Sequence, residues 1–239
     1  MNPFFVRMES LIGIPKAERL YNAHVMILGL GGVGGMVLEA LARCGIGHFT
    51  LIDGDRLDES NLNRQILATT DQLGKPKVEA GRARVFAINP EARVTTVEED
   101  YSPYNGSRLL ASKPDYVVDA IDTMSAKLDL AERCEGMAIP LIASMGTGNK
   151  LDPSGFVVMD IFETKVDPVA RVMRRELKKR GIGHLKVVSS MEEPRMPEIP
   201  VMDPIRRCVP ASIAFVPPAA GLVLAGEVVR DLMEGQSDD

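Results

Sequence analysis

The chain has 239 residues, 45% of them hydrophobic and 26% charged, and a net charge of −5 at neutral pH. This suits one α/β domain with its own core, or one domain plus a small appendage, and argues against a general nucleic-acid binder. No apolar run reaches the roughly 18 residues a membrane span requires, and MNPFFVRMES lacks the basic-then-apolar order of a secretory signal. The expectation is a cytoplasmic protein with no membrane partner.

In chain order, residues 1–24 read as a helical arm. Val25 to Leu30 is a short apolar strand running into a glycine cluster, and Val33 to Cys44 has helical apolar spacing closed by Gly45. His48 to Ile52 is a second strand, ending at Asp53-Gly54-Asp55. Pro76 to Ile88 is a helix stopped by Asn89-Pro90, and Arg93 to Val97 a third strand. Tyr116 to Ile121, apolar and β-branched, predicts a strand buried on both faces. A helix over Ala126 to Glu135 and a strand over Pro140 to Ser144 follow.

The character changes after about Lys150. Phe156 to Phe162 reads as a strand, and Asp167-Pro168 opens a basic helix. Pro194, Pro197, Pro200, Pro204 and Pro210 make 190–210 a long loop, of the kind that serves as a lid or binding element. Ala219 to Met233 is the last helix. Strand-helix alternation of this kind predicts an α/β, Rossmann-type, doubly wound, mostly parallel sheet with helices on both faces. One domain over 1–239 is expected: the arm, a nucleotide-binding core over 25–150, and a substrate-side extension over 151–239.

Cys44, Cys134 and Cys208 stand far apart with no C-x-x-C pair, so neither a structural zinc site nor a disulfide framework is expected. Cys44 and Cys134 read as core residues. Cys208 lies in the proline-rich loop, where it is incidental or, as the other reading, a thiol for sulfur or thioester chemistry.

The chemistry begins at Gly29-Leu30-Gly31-Gly32-Val33-Gly34-Gly35, which satisfies G-x-G-x-x-G between a strand and a helix. Missing side chains let backbone approach phosphates, and the helix N-terminus supplies free N–H groups. Asp53, at the end of the next strand, stands where a carboxylate accepts ribose hydroxyls. Alone, this pattern fits a dinucleotide such as NAD. The next residues favour a triphosphate: Asn61, Arg64 and Gln65 in Ser60-Asn61-Leu62-Asn63-Arg64-Gln65, then Lys77 in Gly74-Lys75-Pro76-Lys77. Arg offers a planar fork to phosphate oxygens and Lys a compact charge. Asp122 ends Val117-Val118-Asp119-Ala120-Ile121-Asp122, placed either to hold Mg²⁺ or to cap the following helix. Arg171, Arg174, Arg175, Lys178, Lys179 and Arg180, in a basic run extending to Lys186, are either a solvated helix face or a patch for an anionic partner.

The ordered set G-x-G-G-V-G, L-I-D-x-D, S-N-x-N-R-Q, G-x-x-K, N-P and D-A-I-D resembles the ThiF/MoeB/HesA family of adenylylating enzymes. The resemblance implies that Gly32, Asp53, Asn61, Arg64, Lys77 and Asp122 contact ATP or its Mg²⁺, with Gly29, Gly31, Gly34 and Gln65 in the same cradle. The implied chemistry is attack of a substrate carboxylate on the α-phosphate, driven by positioning and charge stabilisation. It also implies a homodimer in which Arg7 of one copy reaches the other's phosphates; otherwise Arg7 is an ordinary exposed arginine. Paired zinc motifs are absent, and the later Met145-Gly146-Thr147-Gly148-Asn149-Lys150-Leu151-Asp152-Pro153, Thr164-Lys165-Val166-Asp167-Pro168 and Phe215-Val216-Pro217 are similar to the tRNA threonylcarbamoyladenosine dehydratase branch. That branch implies a modified tRNA base as acceptor, the basic helix contacting tRNA, and a cysteine-desulfurase-type sulfur-transfer partner. The alternatives are activation of the C-terminal glycine of a small sulfur carrier, an NAD-dependent oxidoreductase, and a non-catalytic nucleotide-binding adaptor. Gly35 departs from the serine many relatives carry.

Overall fold

The computed structural model describes residues 1–202 and 209–235. Cys208 and part of the 190–210 segment lie outside the described residues. The N-terminal arm comprises α1 (Val6–Ile12) and α2 (Ile14–Asn22). There follow β1 (His24–Leu28), α3 (Gly34–Arg43), β2 (His48–Ile52), α4 (Lys77–Ile88) and β3 (Arg93–Val97). Next come α5 (Gly106–Leu109), β4 (Tyr116–Asp119), α6 (Met124–Gly136), β5 (Leu141–Ser144) and β6 (Phe156–Asp160). α7 (Pro168–Lys179), β7 (Lys186–Ser190) and α8 (Val216–Glu234) complete the order.

The seven strands form one sheet in the order β3-β2-β1-β4-β5-β7-β6. Neighbours are parallel except β6, which runs antiparallel to β7 at the edge. The chain winds outward from β1 through β2 to β3, then returns to place β4 on β1's other side. That reversal opens a crevice at the C-terminal ends of β1 and β4, where open α/β sheets bind ligands. Successive residues of β1 point to opposite faces. Val25 and Ile27 join Leu38, Val85 and Leu224 from α3, α4 and α8, whereas Met26 and Leu28 join Leu110, Ala126 and Leu130 on the other side. A third cluster packs Met173 and Leu177 of α7 with Ala131 of α6 against Ala143 and Val187. Helices therefore cover both faces, as the sequence predicts.

The C-terminal third differs from expectation in two places. The strand from Phe156 stops at Asp160, because the Asp160 carboxylate accepts the Phe162 N–H at 2.8 Å and starts a tight turn. A strand unanticipated from sequence, β7, sits between β5 and β6, so the region after Lys150 contributes two strands to the same sheet. Lys186 thereby leaves the basic helix: its ammonium donates to Glu227 at 2.9 Å and to Asp231 at 2.8 Å on α8, and the Tyr116 hydroxyl donates to the same Asp231 at 2.6 Å. α8 begins at Val216, three residues before the predicted start, since Pro217 and Pro218 occupy its first turn where no N–H is needed. No helix among the described residues is long and apolar enough to cross a membrane.

Candidate nucleotide-binding site

The glycine loop runs from the end of β1 into α3. Gly29 has φ 86°, and a Cβ there would lie 2.6 Å from the Ala120 carbonyl oxygen. A Cβ on Gly34 would lie 1.8 Å from the Gly29 carbonyl oxygen. Both must be glycine for the loop to close against the end of β4. At Gly31 the nearest atom to such a Cβ is Gln65 Nε2 at 3.8 Å, so its backbone is open to a ligand. Gly32 carries a constraint invisible in sequence: its Cβ would meet Pro217 at 2.9 Å, so α8 packs directly on the loop.

Asp53, at the end of β2, is buried, and its Oδ2 accepts the Leu30 N–H at 2.6 Å while Oδ1 accepts the Asp55 N–H at 2.9 Å. It thus shapes the glycine loop as well as facing the crevice, and each oxygen keeps a lone pair for a hydroxyl donor. Burial pushes its carboxyl up, with Lys77 and the two N–H groups pulling the other way. The Lys77 ammonium lies 2.7 Å from Asp55 Oδ2 and 3.9 Å from Asp53 Oδ1, on a side chain only 7% exposed. With three N–H donors it retains capacity for an anionic oxygen.

Asn61 is buried and caps its own short turn, its Oδ1 accepting the Asp58 N–H at 3.2 Å. The turn delivers Arg64, whose Nη1 donates to the Ser60 carbonyl at 2.7 Å and to Asn63 Oδ1 at 2.9 Å. These bonds hold the guanidinium by one nitrogen and leave its fork edge for a phosphate. Gln65 is buried with its Oε1 lacking a partner among the described residues. The other end of the amide, Nε2, is the atom beside Gly31, where it can donate to a ligand oxygen.

Asp122 is exposed just past β4, and its Oδ1 accepts the Thr123 hydroxyl at 3.3 Å. It is not the cap of α6; Thr123 holds that position. Behind it lies a buried pair not anticipated from sequence. Lys127 reaches Asp119 Oδ2 at 2.9 Å and the Ile121 carbonyl at 3.2 Å, while Asp119 Oδ1 accepts the Ile121 N–H at 3.0 Å. The turn presenting Asp122 is therefore fastened from below.

Two predicted groups lie apart from this cluster. Arg7 is exposed on α1, whose neighbour Phe5 packs near Gly45 and Tyr21 at the far end of α3. Ten helical residues, about 15 Å, separate that end from the loop, so Arg7 does not serve its own chain's cradle. On α7, Arg171, Arg175, Lys178, Lys179 and Arg180 are exposed and Arg174 is half-buried, donating to the Thr164 carbonyl at 2.8 Å. Glu176 pairs with Arg175 and Lys179, and Glu132 with Arg180. Cys134 is buried and its thiol is pushed up to about 12, by burial and then by Asp119; Cys44 is half-buried and also raised by burial. Neither is an activated thiolate.

The profile of the ThiF family matches residues 6–237. The chain belongs to the ThiF family. Among relatives, this ThiF chain is 40% identical to the tRNA threonylcarbamoyladenosine dehydratase of Bacillus subtilis (strain 168), across 96% of its own length and 94% of the relative's. It is 42% identical to the Escherichia coli (strain K12) protein of that name, over 68% of its own length and 61% of the relative's. Its fold superposes on crystal structures of E. coli tRNA N6-threonylcarbamoyladenosine dehydratase, TcdA, in complex with AMP (TM-score 0.89) and with ATP (TM-score 0.88). Both are 33% identical; 96% of the ThiF chain is covered in each case, with 94% and 93% of the other.

Proposed function

We propose that this chain is an ATP-dependent dehydratase that adenylylates the carboxylate of threonylcarbamoyladenosine in tRNA and cyclises it, releasing pyrophosphate and then AMP. The carboxylate oxygen attacks the α-phosphorus, and pyrophosphate leaves. The neighbouring carbamoyl nitrogen then attacks the acyl carbon, loses its proton, and expels AMP with the oxygen that is formally lost as water. A free carboxylate is a poor acceptor, and the adenylate supplies the leaving group. The observation that carries this reading is the ATP-type cradle of Gly31, Asp53, Arg64, Gln65 and Lys77 at the β1/β4 crevice, in a chain matching an ATP-bound dehydratase over 96% of its length.

Each side chain has a definable task. Arg64 and Lys77 bind phosphate oxygens, Asp53 the ribose, and the Gly29–Gly34 backbone the phosphates at the start of α3. Asp122 would hold Mg²⁺, which adds charge neutralisation on the phosphates. Mg²⁺ bound with substrate phosphates takes only one or two protein carboxylates. Arg7, remote from its own loop, would act from a second copy in a homodimer. The exposed cations of α7 would meet the tRNA backbone, although their Glu176 and Glu132 partners compete. A sulfur-transfer partner would find no reactive thiol at Cys44 or Cys134.

The test is incubation with ATP, Mg²⁺ and tRNA carrying threonylcarbamoyladenosine, with the digested nucleosides analysed by mass spectrometry. Loss of one water from that base is the expected result. An unchanged base, together with pyrophosphate exchange that depends on a small sulfur carrier, would overturn the reading.

A further inference from the structure

The segment Met145-Gly146-Thr147-Gly148-Asn149-Lys150-Leu151-Asp152-Pro153 has no task in the nucleotide cradle, yet several distant parts of the chain converge on it. Asn149 stands at φ 62°, a left-handed conformation that asparagine tolerates better than most residues. In an ordinary turn its side chain would bond locally. Here its N–H, its carbonyl and its Oδ1 all bond across the molecule. Its N–H donates to the Ala211 carbonyl at 2.7 Å, its Oδ1 accepts the Ala211 N–H at 2.7 Å, and its carbonyl accepts the Arg195 N–H at 2.7 Å. Gly148 beside it is packed so closely that a Cβ would stand 2.6 Å from Pro210.

The base of this clasp is rigid. Lys150 is buried and donates to the Gly146 carbonyl at 2.8 Å and to Asp167 Oδ2 at 3.2 Å. Asp167, fully buried, also caps α7 by accepting the Ala170 N–H at 2.9 Å. Glu192 accepts the Leu151 and Asp152 N–H groups at 3.0 and 2.8 Å, drawing the chain after β7 to the same point.

The residues Asn149 holds continue directly to the nucleotide motif. The Ser212 carbonyl accepts from Asn63 Nδ2 at 3.1 Å, next to Arg64, and Pro217 then packs on Gly32. Residues 209–217 are therefore a strap pinned at one end to the loop after β5 and at the other to the phosphate-binding residues. The nucleotide cradle uses the ends of β1, β2 and β4. The end of β5 is the next position out in the strand order, so the strap that Asn149 holds borders the crevice on the side beyond β4.

We infer that Asn149 is a positioning residue for the acceptor: by clasping Ala211 it sets the strap that borders the acceptor's approach, and it does not act on the nucleotide. This rests on the dehydratase reading above. The acceptor it serves is a carboxylate-bearing modified nucleoside within an RNA.

The test compares Asn149→Gly, which keeps the backbone conformation and removes the side chain, with Asn149→Asp, which keeps an oxygen acceptor. Amide hydrogen exchange is measured at Ala211, and KM is measured separately for ATP and for modified tRNA. In Asn149→Gly, Ala211 exchange and the KM for tRNA are each expected to rise about tenfold, the equivalent of one hydrogen bond of ~1.4 kcal/mol. The KM for ATP stays within twofold, and Asn149→Asp restores both quantities. Faster Ala211 exchange with an unchanged KM for tRNA would overturn the inference, as would equal rises in both KM values. If the wild-type chain leaves the modified base intact, the dehydratase reading fails and the inference with it. Activity in the wild type with an unaltered variant sinks the inference alone.

Discussion

Lys127→Met removes the cation beneath the turn that presents Asp122. Both side chains of the Asp119–Lys127 pair are 1% exposed and their charged atoms are 2.9 Å apart, so the substitution strands a carboxylate that water cannot reach. Breaking a buried pair from one side costs about 3–5 kcal/mol. At about 2–4 °C per kcal/mol for a domain of this size, the midpoint should fall by roughly 6–20 °C. The double variant Asp119→Leu/Lys127→Met removes both charges. It forfeits the bond the Ile121 N–H donates to Asp119 and the one Lys127 donates to the Ile121 carbonyl, about 1 kcal/mol each. Urea unfolding of both variants gives these differences directly. The double variant, folded but with an unfastened turn, should also need a higher Mg²⁺ concentration for half-maximal ATP-pyrophosphate exchange. A single-variant loss below about 1 kcal/mol, or a double variant no better than the single, would refute the reasoning.

Lys77→Met should lower ATP-pyrophosphate exchange by about 100-fold or more, the scale for removing one fixed positive group from developing charge; a rate within tenfold of wild type would remove Lys77 from the cradle. Gly35→Ala should stabilise the protein by about 0.5 kcal/mol in thermal unfolding, since its Cβ would meet neighbours at an ordinary 3.4–3.5 Å and alanine favours the helix. A loss of stability would show that the loop needs that glycine. The His24 imidazole is lowered to about 4, by burial first and then by His48, whose ring stacks on it at 3.8 Å, with Asp115 opposing. The unfolded chain takes up this proton near pH 6.5, so its contribution is full above that pH and is lost as the pH falls towards 4. After allowance for its partial exposure, the loss is on the order of 1 kcal/mol, and His24→Gln should flatten that part of the stability-pH curve.

The nucleotide half of the fold was legible because each of its elements announces itself locally. β2 and β3 occupy the residues that strand patterning gave, and α3 runs between the predicted limits Val33 and Cys44, which are its cap positions. β7 was not legible: Lys186-Val187-Val188-Ser189-Ser190 is short, and its lysine continued a basic run. What turns Lys186 inward is Glu227 and Asp231, far along the chain. The same limit applies within the site. Spacing indicates that Asp53 and Lys77 face one ligand, but not that Asp53 also holds the Leu30 N–H or that Gly32 must admit Pro217. Asn149 and Lys127 are the sharpest cases, because their partners are a loop backbone and a buried carboxylate that no periodicity marks.

The packing of α8 on α3 has a consequence for how the molecule is made. A Cβ on Gly221 would lie 2.6 Å from the Val33 carbonyl oxygen, and Val216, Ala220, Leu224 and Val228 share one apolar cluster with Val37, Leu38 and Leu41. The helix that follows the phosphate loop is thus covered by a helix synthesised about 180 residues after it. Contacts so distant in sequence are slow to form, and until they form the intermediate shows an unsheltered apolar face. A nascent chain halted before Val216 would expose the α3 stripe to chaperones and, lacking Pro217 against Gly32, would have only part of its nucleotide cradle. Synthesis of α8 is the step that would commit this part of the polypeptide to a sheltered core.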